Sequence, residues 1–357
     1  MLILACISGH GFGHGARTTA VLSELAARAP HWRLVLSTPL PTAFLQLCLG
    51  EIPFEHRPCR WDVGVVQADA LGADAAATLT ALQRMEEGLD GQIEREAAWL
   101  QQQGQPLLVL GDVPPAAARL AERIGAPLVW LASFGWDAIY APMGGPFLAW
   151  AQHCRRQYER GNLLLRCPLA LPIHWGIPEQ QVGLTCGRPR LNTDQLRRRL
   201  NLPHERQRCV LVSFGGLGFA LDPALLARWP DTVFIGPDPA LAGVANGRVL
   251  PADARPLDLM PLVARVITKP GYSTFCEAFS QGVGLHLVQR HGFAEAAVLE
   301  LELRRHGPHR LLSRQQFLEG DWQLDQPLHP ALAGALASDG AAAAAQCLIR
   351  YAQQHWG

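Results

Sequence analysis

The chain has 357 residues, enough for two domains, because a single hydrophobic core stops growing at roughly 250 to 300 residues. Hydrophobic residues make up 49% of it and charged residues only 17%, a balance that excludes an intrinsically disordered protein. The 31 Lys and Arg residues equal the 31 Asp and Glu residues in number and form no basic stripe, which argues against a nucleic-acid partner.

The first segment, MLILACI, predicts a strand rather than a signal peptide, because it is too short to span a membrane and lacks a basic leader. The nine cysteines contain no Cys-x-x-Cys pair, which favours free thiols in a reducing compartment over disulfides or a zinc site. We therefore expect a cytoplasmic protein with no integral membrane segment and no bound metal.

Short apolar runs alternate with helical patterns in the amino-terminal half. Strands are predicted at LILACIS, WRLVLST, PLLVLGD and PLVWLAS, and helices at residues 17–29 and 116–124. This alternation is typical of a parallel sheet covered by helices on both faces, so we predict an α/β domain over residues 1–183.

A second series follows a polar, arginine-rich segment at residues 178–208. Its strands are predicted at CVLVSFGG, TVFIGP, GRVLPAD, ARVITKPG and GLHLVQR, which indicates a second α/β domain over residues 207–339. Ala, Leu and Gln dominate residues 330–355 and predict a carboxyl-terminal helix at about residues 340–357 that can pack back on the first domain. A helix with no part in any chemistry is the plainer interpretation of this composition.

Glycine alternates with other residues directly after the first strand, in SGHGFGHGAR, around His10 and His14. Ligands of an open parallel sheet bind beyond the carboxyl ends of its strands, and glycine lets a substrate approach the main chain. The next helix is expected to begin near Ala16, with free amides available to an anion. G-x-G-x-x-G fails in both frames and G-x-x-x-x-G-K-[ST] is absent, so NAD and a P-loop nucleotide site are disfavoured.

A histidine in a glycine-lined loop can take a proton from an attacking hydroxyl near neutral pH, which makes His14 the candidate general base. The segment LVLGDVPP supplies Asp112 just beyond a buried strand, where it could hold the tautomer of His14. Plainer interpretations stay open: His10 and His14 hydrogen-bond the loop, and Asp112 caps a helix or turn before Pro114.

The second domain carries a complementary segment, ITKPGYSTFCEAFSQGVGLHLVQRHGFAE. Gly271 ends a loop, and Ser273 or Thr274 can cap the next helix. Glu277 lies about one turn inside that helix. Free amides and hydroxyls there suit a diphosphate, and the Glu277 carboxylate can accept hydrogen bonds from ribose hydroxyls. An ordinary capped helix is the alternative.

Two further first-domain segments offer polar side chains. GWDAIY supplies Trp136, Asp137 and Tyr140, and an aromatic ring with a carboxylate suits a sugar or another polar acceptor. A core tryptophan beside a capping aspartate is the alternative. GVVQADAL supplies Gln67 and Asp69 under the same reasoning.

Taken together and in order, these segments resemble glycosyltransferases of the two-domain GT-B fold over nearly the whole chain. The carriers are SGHGFGHGAR, GVVQADAL, LVLGDVPP, ASFGWDAIYAP, SFGG and KPGYSTFCEAFSQGVGLHLVQRHGFAE. The resemblance is in particular to the glycosyltransferase-like region of plant L-arabinokinases and its stand-alone bacterial relatives. It implies an α/β GT-B fold, with two Rossmann-like domains whose parallel sheets face each other across a cleft.

The resemblance also implies site residues: His14 would activate the acceptor with Asp112 behind it, and Glu277 would hold the donor ribose. The residues expected to bind the donor are Gly215, Gly216, Lys269, Gly271, Tyr272, Ser273, Thr274, Glu277, Arg290, Phe293 and Glu295. Those expected to bind the acceptor are His10, Gly11, Phe12, Gly13, Trp136 and Asp137.

The expected activity is transfer of a hexosyl or pentosyl group from a nucleoside diphosphate sugar, such as a UDP-sugar, to a hydroxyl of a small-molecule or glycan acceptor. With His14 as base the configuration inverts, and because no Asp-x-Asp follows a strand we expect no metal and no cofactor besides the sugar nucleotide. Relatives commonly read Phe-x-Glu-Glu-Pro where residues 293–297 read FAEAA, and Gly-Val-Pro where residues 282–284 read GVG. The alternatives are a nucleotide-sugar epimerase or hydrolase on the same fold, and a catalytically silent nucleotide-sugar-binding protein.

Overall fold

The structure, a computed structural model, describes residues 1–66, 72, 74–215, 222–290 and 293–356. These residues form two compact units. The first unit contains the described residues from Met1 to Thr185, Gly72 excepted, and those from Asp339 onward, and the second contains Gly72 and the described part of Cys186–Ser338. The break after Thr185 falls within the arginine-rich segment.

Strands and helices alternate through most of both units. The strands are β1 (Leu2–Ile7), β2 (Arg33–Ser37), β3 (Glu55–Arg57), β4 (Leu107–Asp112), β5 (Leu128–Ala132), β6 (Leu163–Arg166), β7 (Glu179–Gln181), β8 (Cys209–Val212), β9 (Val233–Gly236), β10 (Gly247–Val249), β11 (Arg265–Thr268), β12 (Gly284–Val288) and β13 (His309–Leu312). The α-helices are α1 (Phe12–Arg28), α2 (Thr42–Leu49), α3 (Ala75–Gln101), α4 (Ala116–Ile124), α5 (Trp136–Tyr140), α6 (Phe147–Tyr158), α7 (Thr193–Arg199), α8 (Pro256–Leu259), α9 (Tyr272–Ser280), α10 (Ala294–His306), α11 (Arg314–Glu319) and α12 (Gly340–Trp356).

The first unit contains a parallel sheet with the strand order β3-β2-β1-β4-β5-β6-β7. All six side chains of β1 are buried, as expected of a strand covered on both faces. From β1 the strand order runs outward to β2 and β3, and from β4 it runs outward in the opposite direction to β7. The switch point of the sheet therefore lies between β1 and β4, and doubly wound sheets bind their ligands at such a point. The register pairs Ile7 with Asp112, so the carboxyl ends of these two strands lie side by side.

The second unit contains a parallel sheet with the order β10-β9-β8-β11-β12-β13, whose switch point lies between β8 and β11. Val212, the last residue of β8, pairs there with Ile267, one residue before the end of β11. The predicted α/β class with two parallel sheets is confirmed. Among the described residues, no helix is both long and apolar enough to cross a membrane.

Helix α1 begins at Phe12, so the prediction that it starts at residue 16 or 17 was wrong. Gly11, at φ +93°, ends the loop, and His14 lies inside the first turn of the helix. Gly15 serves packing: a Cβ there would lie 2.6 Å from Leu40 Cδ1 and 2.6 Å from Phe44 Cε1. The glycines therefore belong partly to a short loop, which ends at Gly11, and partly to the tightly packed start of α1. Reading all of them as loop residues made the predicted loop too long.

Two long helices, α12 and α3, had different sequence signals. Helix α12 was predicted, and it packs on α1 in the first unit with Ala344, Ala345 and Leu348 fully buried. Helix α3 was not predicted, although its 27 residues make it the longest in the described chain. Its weakly amphipathic sequence mixes small, polar and charged side chains without a clean apolar stripe.

Candidate active site

Charged and polar side chains converge at the switch point of the first sheet. His14, Arg17 and Thr18 lie on one face of α1, Asp112 ends β4, and Ser133 follows β5. His14 Nδ1 lies 2.8 Å from Asp112 Oδ1. Arg17 Nε and Thr18 Oγ1 donate to Asp112 Oδ2 at 3.0 and 2.6 Å, and Arg17 Nη1 donates to Ser133 Oγ at 2.9 Å. The sheet register and one helical turn are enough to assemble this group, hereafter the His14–Asp112 site.

The alternative interpretation of Asp112 as a helix cap was wrong. The residue at the N-cap of α4 is Pro115, without a side-chain cap, and the Asp112 carboxylate points to α1 instead. Burial by itself raises the pKa of Asp112, but the charges of Arg17 and His14 outweigh it and hold that pKa well below its usual range. Asp112 is therefore a fully buried carboxylate that stays ionised.

The ionised carboxylate fixes the tautomer of His14. A carboxylate only accepts hydrogen bonds, so the 2.8 Å contact with Asp112 requires a proton on Nδ1. Arg17 Nη2, 3.3 Å from the same nitrogen, is then a second donor that shares Asp112 Oδ1 rather than a donor to the ring. Nε2 of His14 is left as the basic nitrogen, which is the form that a general base needs.

His10 and Trp136 belong to a neighbouring group around the segment Trp61–Val65. Trp136 is fully buried and its Nε1 donates to Asp62 Oδ2 at 2.8 Å. Its ring meets the edge of His10 at a centroid distance of 5.2 Å, and His10 Nδ1 accepts from the Val65 amide at 3.3 Å. The core interpretation of Trp136 thus fits its burial, and the plainer interpretation of His10 as a loop-bonding residue fits its contacts.

The other described residues that were expected to bind an acceptor lie in two environments. Gly11 and Gly13 flank the start of α1, where Phe12 is 36% exposed and stacks on Phe44 at 4.5 Å between ring centroids. Asp137 accepts from Trp175 Nε1 at 3.2 Å and does not cap α5. The remaining two, Gln67 and Asp69, lie outside the described residues.

In the second unit, the start of α9 differs from the prediction. Gly271 is the N-cap, so the expectation that Ser273 or Thr274 caps the helix was wrong. These two residues lie in the first turn, and no side chain caps the helix. The extended backbone of Gly271 lets the helix begin at Tyr272, immediately after the KPG loop. The amino end of α9, with its partial positive charge, therefore directly follows the KPG loop.

Cationic side chains gather beside this helix start. Burial, with a smaller effect of the Arg290 charge, lowers the pKa of Lys269 to about 8. Gly215, at φ +76°, lies so close that a Cβ on it would be 4.0 Å from Lys269 Cε. The Arg290 guanidinium stacks 4.4 Å from the centroid of Phe293, and Glu295 is buried in the first turn of α10. Gly216 lies outside the described residues.

Glu277 occupies the second turn of α9, half-buried, beside an ion pair. Burial raises its pKa to about 7, although the charge of Arg255 opposes this and that of Asp258 adds to it. Arg255 donates to Asp258 through Nε at 3.0 Å and Nη2 at 2.7 Å, and the Arg190 amide donates to the same carboxylate at 2.8 Å. The carboxylate of Glu277 therefore lies where a hydrogen-bond donor on a ligand would favour its ionised form.

Sequence reasoning missed Arg17, Thr18, Asp62, Arg255 and Asp258. Two signals were available: Arg17 follows His14 by one helical turn, and the segment RPLD has a Pro at the first helical position with an Asp two residues later, typical of a helix start. In the parts of the chain that the structure describes, no three His, Cys, Asp or Glu side chains cluster as they would around a metal ion.

No family model matches the chain. It is 29% identical over 332 residues to the L-arabinokinase of Arabidopsis thaliana, a match that covers 88% of this chain and 31% of that protein. The chain thus spans about a third of the length of the curated relative that it matches.

Solved structures give a likeness over nearly the full chain. Arabidopsis thaliana UGT89C1 in complex with UDP is 13% identical, with a TM-score of 0.61 over 99% of this chain and 94% of that one. Phytolacca americana UGT2 with UDP-2fluoro-glucose and pterostilbene gives 14% identity and a TM-score of 0.59, over 91% and 88% of the two chains. A Polygonum tinctorium UDP-glucosyltransferase is 15% identical, with a TM-score of 0.61 over 99% of this chain and 94% of that one. With its two parallel-sheet units, this chain has the GT-B fold.

Proposed function

We propose that the protein transfers a hexosyl or pentosyl group from a UDP-sugar to a hydroxyl acceptor. The observation that carries this proposal is the His14–Asp112 site, a buried dyad at the substrate edge of the first sheet with the basic nitrogen of His14 left over. The GT-B fold and the UDP bound by several structural neighbours support the choice of donor. The match to L-arabinokinase covers 88% of the chain and supports a sugar-related reaction.

In the proposed reaction, the first unit binds the acceptor and the second binds the donor. His14 Nε2 takes the proton of the acceptor hydroxyl. The oxygen of that hydroxyl then forms a bond to the anomeric carbon of the donor sugar, from the face opposite UDP. The bond between that carbon and the diphosphate oxygen breaks, UDP leaves with both electrons, and the configuration inverts. Asp112 stabilises the imidazolium that forms, although Arg17 already offsets part of its charge.

The second unit would stabilise the leaving diphosphate without a metal. Three features support this part of the proposal: the amino end of α9 with its partial positive charge, and the cations Lys269 and Arg290 beside it. Glu277 would accept hydrogen bonds from the ribose hydroxyls. We expect EDTA to leave the rate unchanged, and a loss of activity that Mg²⁺ restores would contradict this account.

The donor is tested by thermal unfolding of the full chain with nucleoside diphosphates and their sugars. A ligand at about 100 times its dissociation constant adds roughly 2.7 kcal/mol of stability, so UDP and one UDP-sugar should raise the melting temperature measurably. If UDP and its sugars leave the melting temperature unchanged, the donor proposal is wrong.

The base is tested by His14→Ala, with His31→Ala on the exposed surface as the matched control. General base catalysis contributes about 10²- to 10⁴-fold, so His14→Ala should lose that much transfer while its UDP affinity and fold persist. The His31 variant should keep the full rate. Equal rates in both variants would exclude His14 as the base, and UDP binding without transfer to any acceptor would favour a silent nucleotide-sugar-binding protein.

A further inference from the structure

Asp62 carries a buried carboxylate oxygen that the proposed reaction does not use. The residue is 3% exposed, and its Oδ2 accepts from Trp136 Nε1 at 2.8 Å. Oδ1 is shielded from solvent and has no hydrogen-bond partner among the described residues. Leaving a buried carboxylate oxygen without a donor costs free energy, so a group of this kind calls for a ligand or a bound water.

Asp62 lies beside the glycine loop and the predicted base. Burial raises its pKa, and the Ser8 hydroxyl, the Trp136 indole and the charge of His14 offset that effect only in part. These partners place the carboxylate next to the loop that follows β1, although Ser8 does not hydrogen-bond Oδ1. Asp62 is therefore within electrostatic reach of His14.

Asp62 lines a small cavity of the first unit. Trp61, Trp136 and Tyr140 form its buried aromatic lining, and the partly exposed Trp150 lines it as well. Its volume of about 30 Å³ admits a water molecule or the end group of a larger ligand, but not a whole sugar ring. Aromatic walls with one carboxylate suit the edge of a hydroxylated molecule, because the rings cover its apolar part.

We propose that Asp62 Oδ1 accepts a hydrogen bond from a second hydroxyl of the acceptor, so that the protein selects polyhydroxylated acceptors. This inference rests on the proposed transfer reaction, in which the reacting hydroxyl meets His14. A site built to hydrogen-bond a substrate hydroxyl discriminates strongly against the analogue that lacks it, because the buried group is then left without a partner. An acceptor with a single hydroxyl leaves Asp62 Oδ1 buried without a hydrogen-bond donor.

The test compares the full-length protein with its Asp62→Asn variant. Asparagine has nearly the same shape and can still accept from Trp136, but it turns an N–H donor toward the cavity where the carboxylate had an acceptor. The matched control is Glu86→Gln, because Glu86 lines the same cavity and is already paired with Arg119 at 2.7 Å.

Binding is measured by thermal unfolding without nucleotide. The probes are glucose, xylose and catechol, with phenol as the analogue of catechol that lacks one hydroxyl. A hydrogen bond to a charged group contributes enough that Asp62→Asn should weaken binding of the best polyhydroxylated probe by about 10- to 100-fold, while Glu86→Gln binds it as the wild type does. A cooperative unfolding transition without ligand shows that each variant is folded, and UDP should bind all three proteins equally.

Two outcomes overturn the inference: equal binding of the polyhydroxylated probes by wild type and Asp62→Asn, or binding by neither, in which case the oxygen holds only water. Probe binding that depends on Asp62, in a protein that neither binds UDP nor transfers sugar, would keep Asp62 as a hydroxyl-binding group and remove the proposed function instead. The two failures are therefore distinguishable.

Discussion

Asparagine at position 112 is expected to destabilise the first unit strongly, whatever the protein catalyses. The Asp112 carboxylate accepts from Arg17, Thr18 and His14, and Arg17 is only 2% exposed. Asp112→Asn leaves the guanidinium buried without its counter-charge, and breaking a buried pair in this way costs about 3–5 kcal/mol. That is a large part of the roughly 5–15 kcal/mol that holds a typical domain folded.

The effect can be measured by urea denaturation followed by tryptophan fluorescence. Of the ten tryptophans, only Trp229 and Trp322 belong to the second unit, so the signal reports mainly on the first. Adding Arg17→Met to Asp112→Asn should restore part of the stability, because the double variant buries no unpaired charge. The reasoning fails if Asp112→Asn costs less than about 1 kcal/mol or if the two substitutions are simply additive.

The pH dependence of this effect has a definite sign. The pKa of Asp112 is lowered in the folded protein, so its contribution is present above the unfolded value of about 3.9 and is lost only as the pH falls through the lower folded value. The contribution of Asp112 should therefore not be lost between about pH 5 and pH 8, so the difference in unfolding free energy between wild type and Asp112→Asn should not shrink as the pH is lowered from 8 to 5. A difference that shrinks within that window would show that Asp112 is not held ionised by its neighbours.

Three further outcomes are expected. Burial raises the pKa of Glu277 to about 7, so its contribution to stability is lost as the pH rises from the unfolded value of about 4.3 through 7. Glu277→Gln should therefore gain on the wild type over that range in thermal unfolding. UDP affinity, if Glu277 holds the ribose, should rise with pH only in the wild type. Gly15→Ala should cost about 1–3 kcal/mol through overpacking, whereas Gly88→Ala, where a Cβ meets nothing within 4 Å, should gain about 0.5–1 kcal/mol in the same urea assay. Tyr158→Phe should cost about 1–3 kcal/mol in that assay, because the buried hydroxyl accepts from one backbone amide at 3.0 Å and donates to a backbone carbonyl at 2.7 Å.

Much of the fold could be predicted from the sequence, because buried parallel strands are continuous apolar runs and the glycines and prolines between them mark their ends. The helix at Ala116–Ile124 has its predicted bounds. Helix starts were harder to predict: α1 and α9 both begin at the residue after a glycine, so side chains assigned to a loop or a cap lie inside the first turn. Glycine is compatible with a loop and with a helix end, and the neighbours that decide between them are distant in sequence.

The sequence by itself determined the two α/β series and singled out His14 and Asp112, because hydrophobic periodicity and strand-end chemistry are local properties. Only the tertiary structure decided that Arg17 shares Asp112 with His14 and that Trp136 holds Asp62 in the core, since these contacts join residues 95 and 74 positions apart. Side-chain hydrogen bonds over such separations depend on sheet register and helix packing, which no local pattern encodes.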